Sequence, residues 1–416
     1  MKFHINSDFL LPVLKKIDKT GAIDSDNESY CSIMIESNNP AGQSELKFVV
    51  RNAAFIAIFE INDEDFKEYD DKNKDHFLVS DQGKVYVDGK IFTSVLKGYP
   101  SNSILQFELK ESASKKKKDG VLRVNCKRSK GKIKRTDFNT IKIKTFEEKP
   151  PDEKRDKLTI NNIDKLTKAV NDVSFTSGVV DQEDANQYLC GCYIEIENDD
   201  IFAVATNRKA MCSSGDYDST AKAPYKFLPV MTYFISALSN LDKSAPADFE
   251  VGERYTFMKQ GGQSYYIPNA GLSDRFPEWR SVFTGKISSK VGVIRLSREA
   301  LLDCIKTSEP IVGSDYGINI DVNTDNKEVI FTSSSIDSQG SLVRASHTEV
   351  SVLEDSNFTG TVKCEVLLPI YALKEILKRI KETYVNVIFL GSNKPVLIEG
   401  DQTAIKYLLT PITIGS

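Results

Sequence analysis

The chain has 416 residues, 27% of them charged and 40% hydrophobic, and a formal net charge of −4. That length implies two to four domains rather than one core. No apolar run approaches the ~18–20 residues that would span a bilayer, and the slight acidity excludes a bulk polycation, so any nucleic-acid contact has to come from local clusters of Lys and Arg.

The start, MKFHINSDF, lacks the apolar stretch of a secretory signal. The seven cysteines, Cys31, Cys126, Cys190, Cys192, Cys212, Cys304 and Cys364, are odd in number and contain no C-x-x-C pair. Cys190 and Cys192 are expected on one face of a strand as reduced structural thiols, because a tetrahedral metal site needs wider, paired spacing. A cytoplasmic, reducing compartment is expected.

The first residues predict a strand over 2–5, a cap at Ser7 and a helix over 8–19. Leu10, Leu11, Leu14 and Ile17 form its apolar stripe, and Pro12 lies near the tolerant first turn. The same sentence recurs at Lys157, with a cap at Asn161 or Asn162 and the stripe Ile163, Leu166, Ala169, Val170. It recurs again near Val293, with cap Ser297 and Ala300, Leu301, Leu302 and Ile305. Each copy continues through alternating, strand-like segments into a second strand-plus-helix unit: 84–87 into 91–97 ended by Gly98, 225–227 into Leu228-Pro229 and a helix to about 241, and 366–368 into Pro369 and a helix to about 381. In the last two, proline is expected at the first helical position, where its missing N–H costs nothing. Six such units in three pairs predict an α+β chain of three tandem copies of one domain, each with antiparallel sheets and two helices. The expected domains are residues 1–148, 155–281 and 282–416.

Residues 147–156 (EEKPPDEKRD) separate the first two copies, and residues 63–75 and 112–120 are charged insertions expected as solvated loops. Residues 271–283 (GLSDRFPEWRSVF) hold the only tryptophan and are expected as an irregular aromatic connection between the second and third copies. Pro277 blocks helix continuation there. Two readings stand for it: a wedge between domains, or a wall of a binding pocket.

Positive charge concentrates on the helices. Lys15, Lys16 and Lys19 belong to the first, Lys165 and Lys168 to the third, and Lys374, Lys378 and Lys381 form an i, i+4, i+7 stripe on the sixth. Each alone is most simply a solvated face; in corresponding copies they suggest a shared cationic surface. The run 127–135 (KRSKGKIKR) is denser and is expected in a strand context. Contacts of this kind read no bases, and the binding they give weakens steeply with salt.

Nothing proposes a reaction. His4, His76 and His347 have no metal-ligand spacing, no phosphate-cradling loop or nucleophile elbow occurs, Asp199-Asp200 is expected as a hairpin tip, and Gly261-Gly262 and Gly285-Lys286 as turns.

These pieces resemble the bacterial DNA polymerase III β subunit, the sliding clamp, over essentially the whole chain, as a divergent member, cellular or phage-encoded. The opening strand and helix look like that family's. Tyr188-Leu189-Cys190-Gly191 is similar to its Y-L-N-G, residues 204–211 (VATNRKAM) to its V-A-T-D-G-H-R-L, 275–280 (RFPEWR) to its R-F-P-D-Y-R, and 407–412 (YLLTPI) to its Y-V-V-M-P-M.

The resemblance implies a homodimeric ring with helices lining a hole for double-stranded DNA. It implies partner peptides from a DNA polymerase, a clamp loader and other proteins carrying short Leu/Phe motifs, no catalysis, and no cofactor or metal of its own. Their pocket would comprise Leu189, Thr206, Asn207, Arg208, Lys209, Met211, Pro277, Val282, Tyr371, Pro395, Leu408, Thr410, Pro411 and Ile412. The DNA-facing set would be Lys15, Lys16, Lys19, Lys165, Lys168, Gln187, Lys374, Lys378 and Lys381. The subunit contact would set Gly131 and Ile133 against Ile311 and Val312. The chain departs from the family at the pocket rim, where Arg208, Lys209 and Ala210 stand for G-H-R and Ser281 for an arginine. Two other classes stay open: a clamp-fold DNA-binding accessory or decoy without a closed ring, and a nucleic-acid-processing enzyme with unrecognised catalytic residues.

Overall fold

The computed structural model describes residues 1–21, 32–52, 55–66, 76–110, 120–127, 133–141, 143, 148–178, 187–197, 200–215, 224–271, 273–287, 292–312, 317–323, 328–336, 342–351, 357–358, 364–391, 394–402 and 405–411. The first copy runs β1 (Lys2–Asn6), α1 (Ser7–Lys19), β2 (Ser32–Asn38), β3 (Glu45–Asn52) and β4 (Phe55–Asn62). After a short β5 (Phe77–Asp81) the pattern repeats as β6 (Gly83–Asp88), α2 (Gly89–Lys97), β7 (Ile104–Lys110), β8 (Val121–Lys127) and β9 (Ile133–Asn139).

The second copy has β10 (Arg155–Ile160), α3 (Ile163–Val173), β11 (Tyr193–Glu197), β12 (Asp200–Thr206) and β13 (Ala210–Ser213). Its second half is β14 (Tyr225–Phe227), α4 (Met231–Leu238), β15 (Ala247–Gly252), β16 (Tyr255–Gln260) and β17 (Gln263–Pro268). A connecting helix, α5 (Trp279–Ile287), leads to β18 (Gly292–Ser297), α6 (Arg298–Val312), β19 (Gly317–Asn323), β20 (Glu328–Ile336), β21 (Leu342–Ser351) and β22 (Asn357–Phe358). The chain closes with β23 (Cys364–Pro369), α7 (Ile370–Arg379), β24 (Tyr384–Phe389), β25 (Val396–Gly400) and β26 (Lys406–Leu409).

The six strand-then-helix units are therefore real, and their sheets are built by exchange. The first strand of each half pairs with the three strands of the other half: β1 with β7-β8-β9, β6 with β2-β3-β4, and likewise in the later copies. Last strands then join neighbouring copies, β17 on β4 and β26 on β13, making continuous sheets of eight and nine strands. The described residues accordingly form two compact units, Met1–Ile163 with Thr232–Asn269, and Asp164–Met231 with Ala270–Ser416. The second copy is shared between them, half to each, because each half is fused to a different neighbour.

Helix faces follow most of the predicted stripes: Leu10, Leu14 and Ile17 are buried on α1, where Leu11 is only half-buried, and Ile163, Leu166, Ala169 and Val170 are buried on α3. In the first copy Phe107 stacks on Phe3 at 4.5 Å and meets Phe92 of α2, burying large rings that each contribute on the order of 1.5–3 kcal/mol.

Several details correct the sequence reading. The cap of α1 is Asn6, whose side chain accepts from the Asp8 N–H, and Ser7 is the first helical residue; Ser7 Oγ instead donates to the Pro100 carbonyl. Pro12 lies in the second turn of α1, which continues through it. Pro369 is the cap of α7 rather than its first residue, and Pro229 lies two residues before α4. Cys190 ends a 3₁₀ turn (Gln187–Cys190) and Cys192 precedes β11, so the two do not share a strand face; both are buried and neither forms a disulfide. Asp63–Phe66 is a 3₁₀ turn anchored by Phe66, whose ring packs at a tilt on Phe9 at 4.3 Å and stacks on Phe77 at 5.3 Å, rather than a wholly solvated loop; residues 67–75 and 112–119 lie outside the described residues. Gly261-Gly262 is the expected hairpin turn, with Gly261 at φ +55°, whereas Gly285-Lys286 falls inside α5. Asp200 opens β12 opposite Glu197, as a hairpin tip requires; Asp199 is outside the described residues.

Candidate peptide-binding and nucleic-acid interfaces

Within the second compact unit, the β12–β13 hairpin turns through Thr206–Ala210. Asn207 Oδ1 accepts from the Lys209 and Ala210 N–H groups at 3.1 and 2.8 Å, and Thr206 Oγ1 donates to the Ala210 carbonyl at 2.9 Å. The tight turn forces Arg208 to φ +70°. Met211 then lies opposite Leu408 and Ala210 opposite Leu409 where β13 pairs with β26. Beyond the strand, the Thr410 N–H donates to the Lys209 carbonyl at 2.7 Å, and Thr410 Oγ1 to the Arg208 carbonyl at 3.5 Å. On the other side of β26, Val396 is level with Leu409, which sets Pro395 beside Thr410. Leu189 is tied to the turn after α3 by the Gly178 N–H, which donates to its carbonyl at 2.7 Å.

The structure therefore brings together Thr206, Asn207, Arg208, Lys209, Met211, Pro395, Leu408 and Thr410. Leu189, Thr206, Met211 and Leu408 are buried, while Asn207, Pro277, Val282, Pro395 and Pro411 are half-buried. Arg208, Lys209 and Thr410 are exposed. Tyr371 is the second residue of α7 and is 54% exposed; no strand register ties it to the hairpin. Ile412 lies outside the described residues.

Residues 271–283 differ from the expected irregular connection. A 3₁₀ turn at Ser273–Arg275 is followed by α5, which begins at Trp279; Pro277 precedes the helix instead of preventing it. Phe276 stacks on Tyr193 at 4.7 Å and meets Tyr188 edge-on at 6.2 Å. Trp279 is 2% exposed and packs on Phe202 and Phe283.

The anchor for this connection is a residue that sequence reasoning missed, Glu195 on β11, itself 2% exposed. Its Oε1 accepts from the Tyr193 hydroxyl at 3.0 Å and from Trp279 Nε1 at 3.4 Å. Arg280 Nη1 stands 2.6 Å from Oε2, an ion pair not aligned as a hydrogen bond, and the guanidinium lies 4.1 Å over the Trp279 ring. Lys226 approaches at 3.8 Å. Burial, with the Glu195 carboxylate beside it, pushes the Tyr193 phenol well above its usual range. The signal available in the sequence was a lone carboxylate inside YIEIE together with an arginine in the connection.

The helix-borne cations fall in both units. On α1, Lys15 and Lys19 are exposed and Lys16 is half-buried; burial, then the Lys19 charge, holds the Lys16 ammonium below its usual range. The Lys16 carbonyl accepts from Asn240 just beyond α4, so the ends of these helices adjoin. In the other unit, Lys165 pairs with Asp200 at 3.2 Å, Lys168 is exposed, and Gln187 is exposed on its 3₁₀ turn.

The stripe expected on α7 is corrected. Lys381 lies beyond the helix end, donating through Nζ to the Lys378 carbonyl. Lys374 is paired with Glu309 of α6 at 2.6 Å, and Lys378 and Arg379 both with Glu375 at 2.7 Å. Arg379 also lies 4.5 Å over the Phe175 ring, joining α7 to the end of α3. There burial raises the Asp172 carboxyl, opposed by Lys168, Arg379 and Lys381. Ile133 opens β9, while Ile311, half-buried, and Val312 end α6. Gly131 lies outside the described residues. Among the described residues no group of three or more His, Cys, Asp or Glu could hold a metal ion, and no helix is long and apolar enough to cross a membrane.

This architecture is that of a DNA sliding clamp: doubled halves exchanging first strands, three times over, with two helices per copy. The chain has the fold of the bacterial DNA polymerase III β subunit. It is similar over 100% of both chains to that subunit from Pseudomonas aeruginosa (TM-score 0.75, 13% identity) and to the DNA polymerase sliding clamps from Bacillus subtilis (0.74, 14%) and Caulobacter crescentus (0.73, 13%). At the level of sequence, no family model and no curated protein matches it.

Proposed function

We propose that two copies of this chain close head to tail into a ring that encircles duplex DNA without reading its sequence. In this reading, the hairpin, connection and C-terminal strand of the second compact unit capture short Leu/Phe-bearing segments of a DNA polymerase and a clamp loader. The observation that carries it is the arrangement of sheet edges. Both junctions between copies join the last strand of a second half to the last strand of a first half: β17 to β4, and β26 to β13. Applied once more, that rule pairs β9 with β21, the two such strands still at sheet edges within one chain. A second copy satisfies both at once, giving a closed two-fold assembly with Ile133, Ile311 and Val312 at its contacts.

The three copies, residues 1–148, 155–281 and 282–416, would present α1, α3 and α7 to the DNA, where Lys15, Lys16, Lys19, Lys165 and Lys168 neutralise phosphates. Gln187 and the paired Lys374, Lys378 and Lys381 complete that face. The function is topological: a tethered polymerase keeps a high effective concentration because it cannot diffuse away. It requires no catalytic residue and no cofactor, and it belongs in the cytoplasm beside the replication machinery. The pocket holds an extended peptide through apolar burial on Leu189, Met211, Pro277, Val282, Tyr371, Leu408, Pro411 and Ile412, at about 1.5–3 kcal/mol per anchoring side chain.

The test joins mass determination in solution with retention on circular DNA. A dimer retained on a nicked circle and released when the circle is linearised is expected. A monomer at all concentrations, or equal retention on both forms, overturns the ring in favour of an open accessory. Pro277→Glu with Val282→Glu is expected to abolish stimulation of a polymerase while leaving the dimer intact.

A further inference from the structure

We propose that the Arg208–Lys209 hairpin tip is a specificity determinant that selects partner segments carrying an acidic side chain next to their apolar anchors. This rests on the pocket reading above. Three features of the tip lead to it. Arg208 holds φ +70°, a conformation that strains an L side chain and costs glycine nothing, so the position carries a long cation at the expense of local strain. Asn207 Oδ1 grips the two N–H groups after Arg208, and the Arg208 and Lys209 carbonyls both accept from Thr410, so the tip is clamped to the end of β26.

Both side chains are exposed, and Lys209 stands two residues before Met211, which is buried and lies opposite the buried Leu408 where β13 pairs with β26. A rigid tip bearing two adjacent cations at the rim of an apolar site complements a peptide that combines apolar anchors with a carboxylate. The Arg208 guanidinium suits a carboxylate in particular, through two parallel N–H donors.

Phosphates are the other anions such cations could meet. The peptide is favoured because the tip is bonded to β26, a strand of the pocket, whereas the DNA-facing lysines lie on helices.

The test uses the full chain and fluorescence anisotropy with two synthetic peptides sharing Leu and Phe anchors, one flanked by Asp-Glu and the other by Asn-Gln. The acidic peptide is expected to bind about five- to tenfold more tightly at low salt, and raised salt should shrink that ratio. In the double variant Arg208→Gly/Lys209→Ala the ratio should fall to about one. Glycine accepts the left-handed backbone, so the variant should melt no lower than the parent, which separates loss of selectivity from loss of fold. Equal binding of both peptides by the parent overturns the selectivity while sparing the pocket. A ratio unchanged in the variant does the same. Failure of both peptides to bind overturns both readings. A variant that loses DNA retention but keeps the peptide ratio assigns the tip to phosphate instead.

Discussion

Arg280→Ala tests the Glu195 anchor most directly. Glu195 is 2% exposed, and Arg280 is its shortest ionic partner, at 2.6 Å. Breaking an uncompensated buried pair costs about 3–5 kcal/mol. Here Lys226 at 3.8 Å and the Tyr193 hydroxyl at 3.0 Å remain, which brings the loss to about 2 kcal/mol. The vanished cation–π contact over Trp279 adds about 0.5–1 kcal/mol, for a total near 3 kcal/mol. Trp279 is the only tryptophan, so its fluorescence reports this site alone during a urea titration. With a slope of about 1–3 kcal/mol per molar urea, the Trp transition should move down by ~1–3 M. Adding Glu195→Gln should restore part of the loss, because the stranded carboxylate is gone; the double variant should then cost clearly less than the sum of the singles. An Arg280→Ala cost below about 1 kcal/mol, or strict additivity, would refute the anchor.

Replacing Lys15, Lys16 and Lys19 with alanine should flatten the salt dependence of DNA retention by as much as ~2.7 in log–log slope, measured by titrating salt against fluorescent duplex. Asp172→Asn should strengthen DNA binding by about twofold or more at low salt, since it deletes a carboxylate from among Lys168, Arg379 and Lys381. Because burial raises the folded Asp172 carboxyl, its favourable contribution is present below the ordinary carboxylate value and is lost as pH rises through the raised one. The same variant should therefore raise the melting temperature at pH 7 but not at pH 3, by differential scanning calorimetry. Gly191→Ala should destabilise by about 1–3 kcal/mol in thermal melts, because a Cβ there would meet Leu228 Cδ1 at 2.6 Å and the Ala270 Cβ at 2.9 Å. An unchanged melting point would contradict that close approach.

Periodicity carries the fold well in this chain. The stripes Leu10-Leu14-Ile17 and Ile163-Leu166-Val170 depend only on which side of a helix is apolar, and both are buried as expected. What periodicity lacks is the identity of whatever faces an element. Lys374 looked like an open cation, but its partner Glu309 lies 65 residues away. Glu195 drew no attention in the alternating run YIEIE, because its partners Trp279 and Arg280 lie on α5, some eighty-five residues away. The α5 helix itself was hidden by Pro277, which reads as a breaker although two residues before a helix it breaks nothing. The cap of α1 slipped by one because Asn6 and Ser7 are both capping residues, and only the fold gives Ser7 another partner in Pro100. In the pocket, the strand register of Met211 with Leu408 gathers segments some two hundred residues apart, whereas Tyr371 has no such register to bring it in.

The exchange of first strands makes each half an incomplete object. Residues 1–62 contain β1 and the trio β2-β3-β4, yet β1 belongs against β7 and the slot beside β2 belongs to β6. A ribosome that has released only this half has produced a sheet with a vacant berth and a loose strand that does not fit it. A neighbouring chain that already carries its second half can lend β6 to that berth and take the loose β1 onto its β7, as readily as the half waits for its own continuation. Fidelity in this architecture is therefore a race between synthesis and neighbours, run once for each of the six exchanged strands.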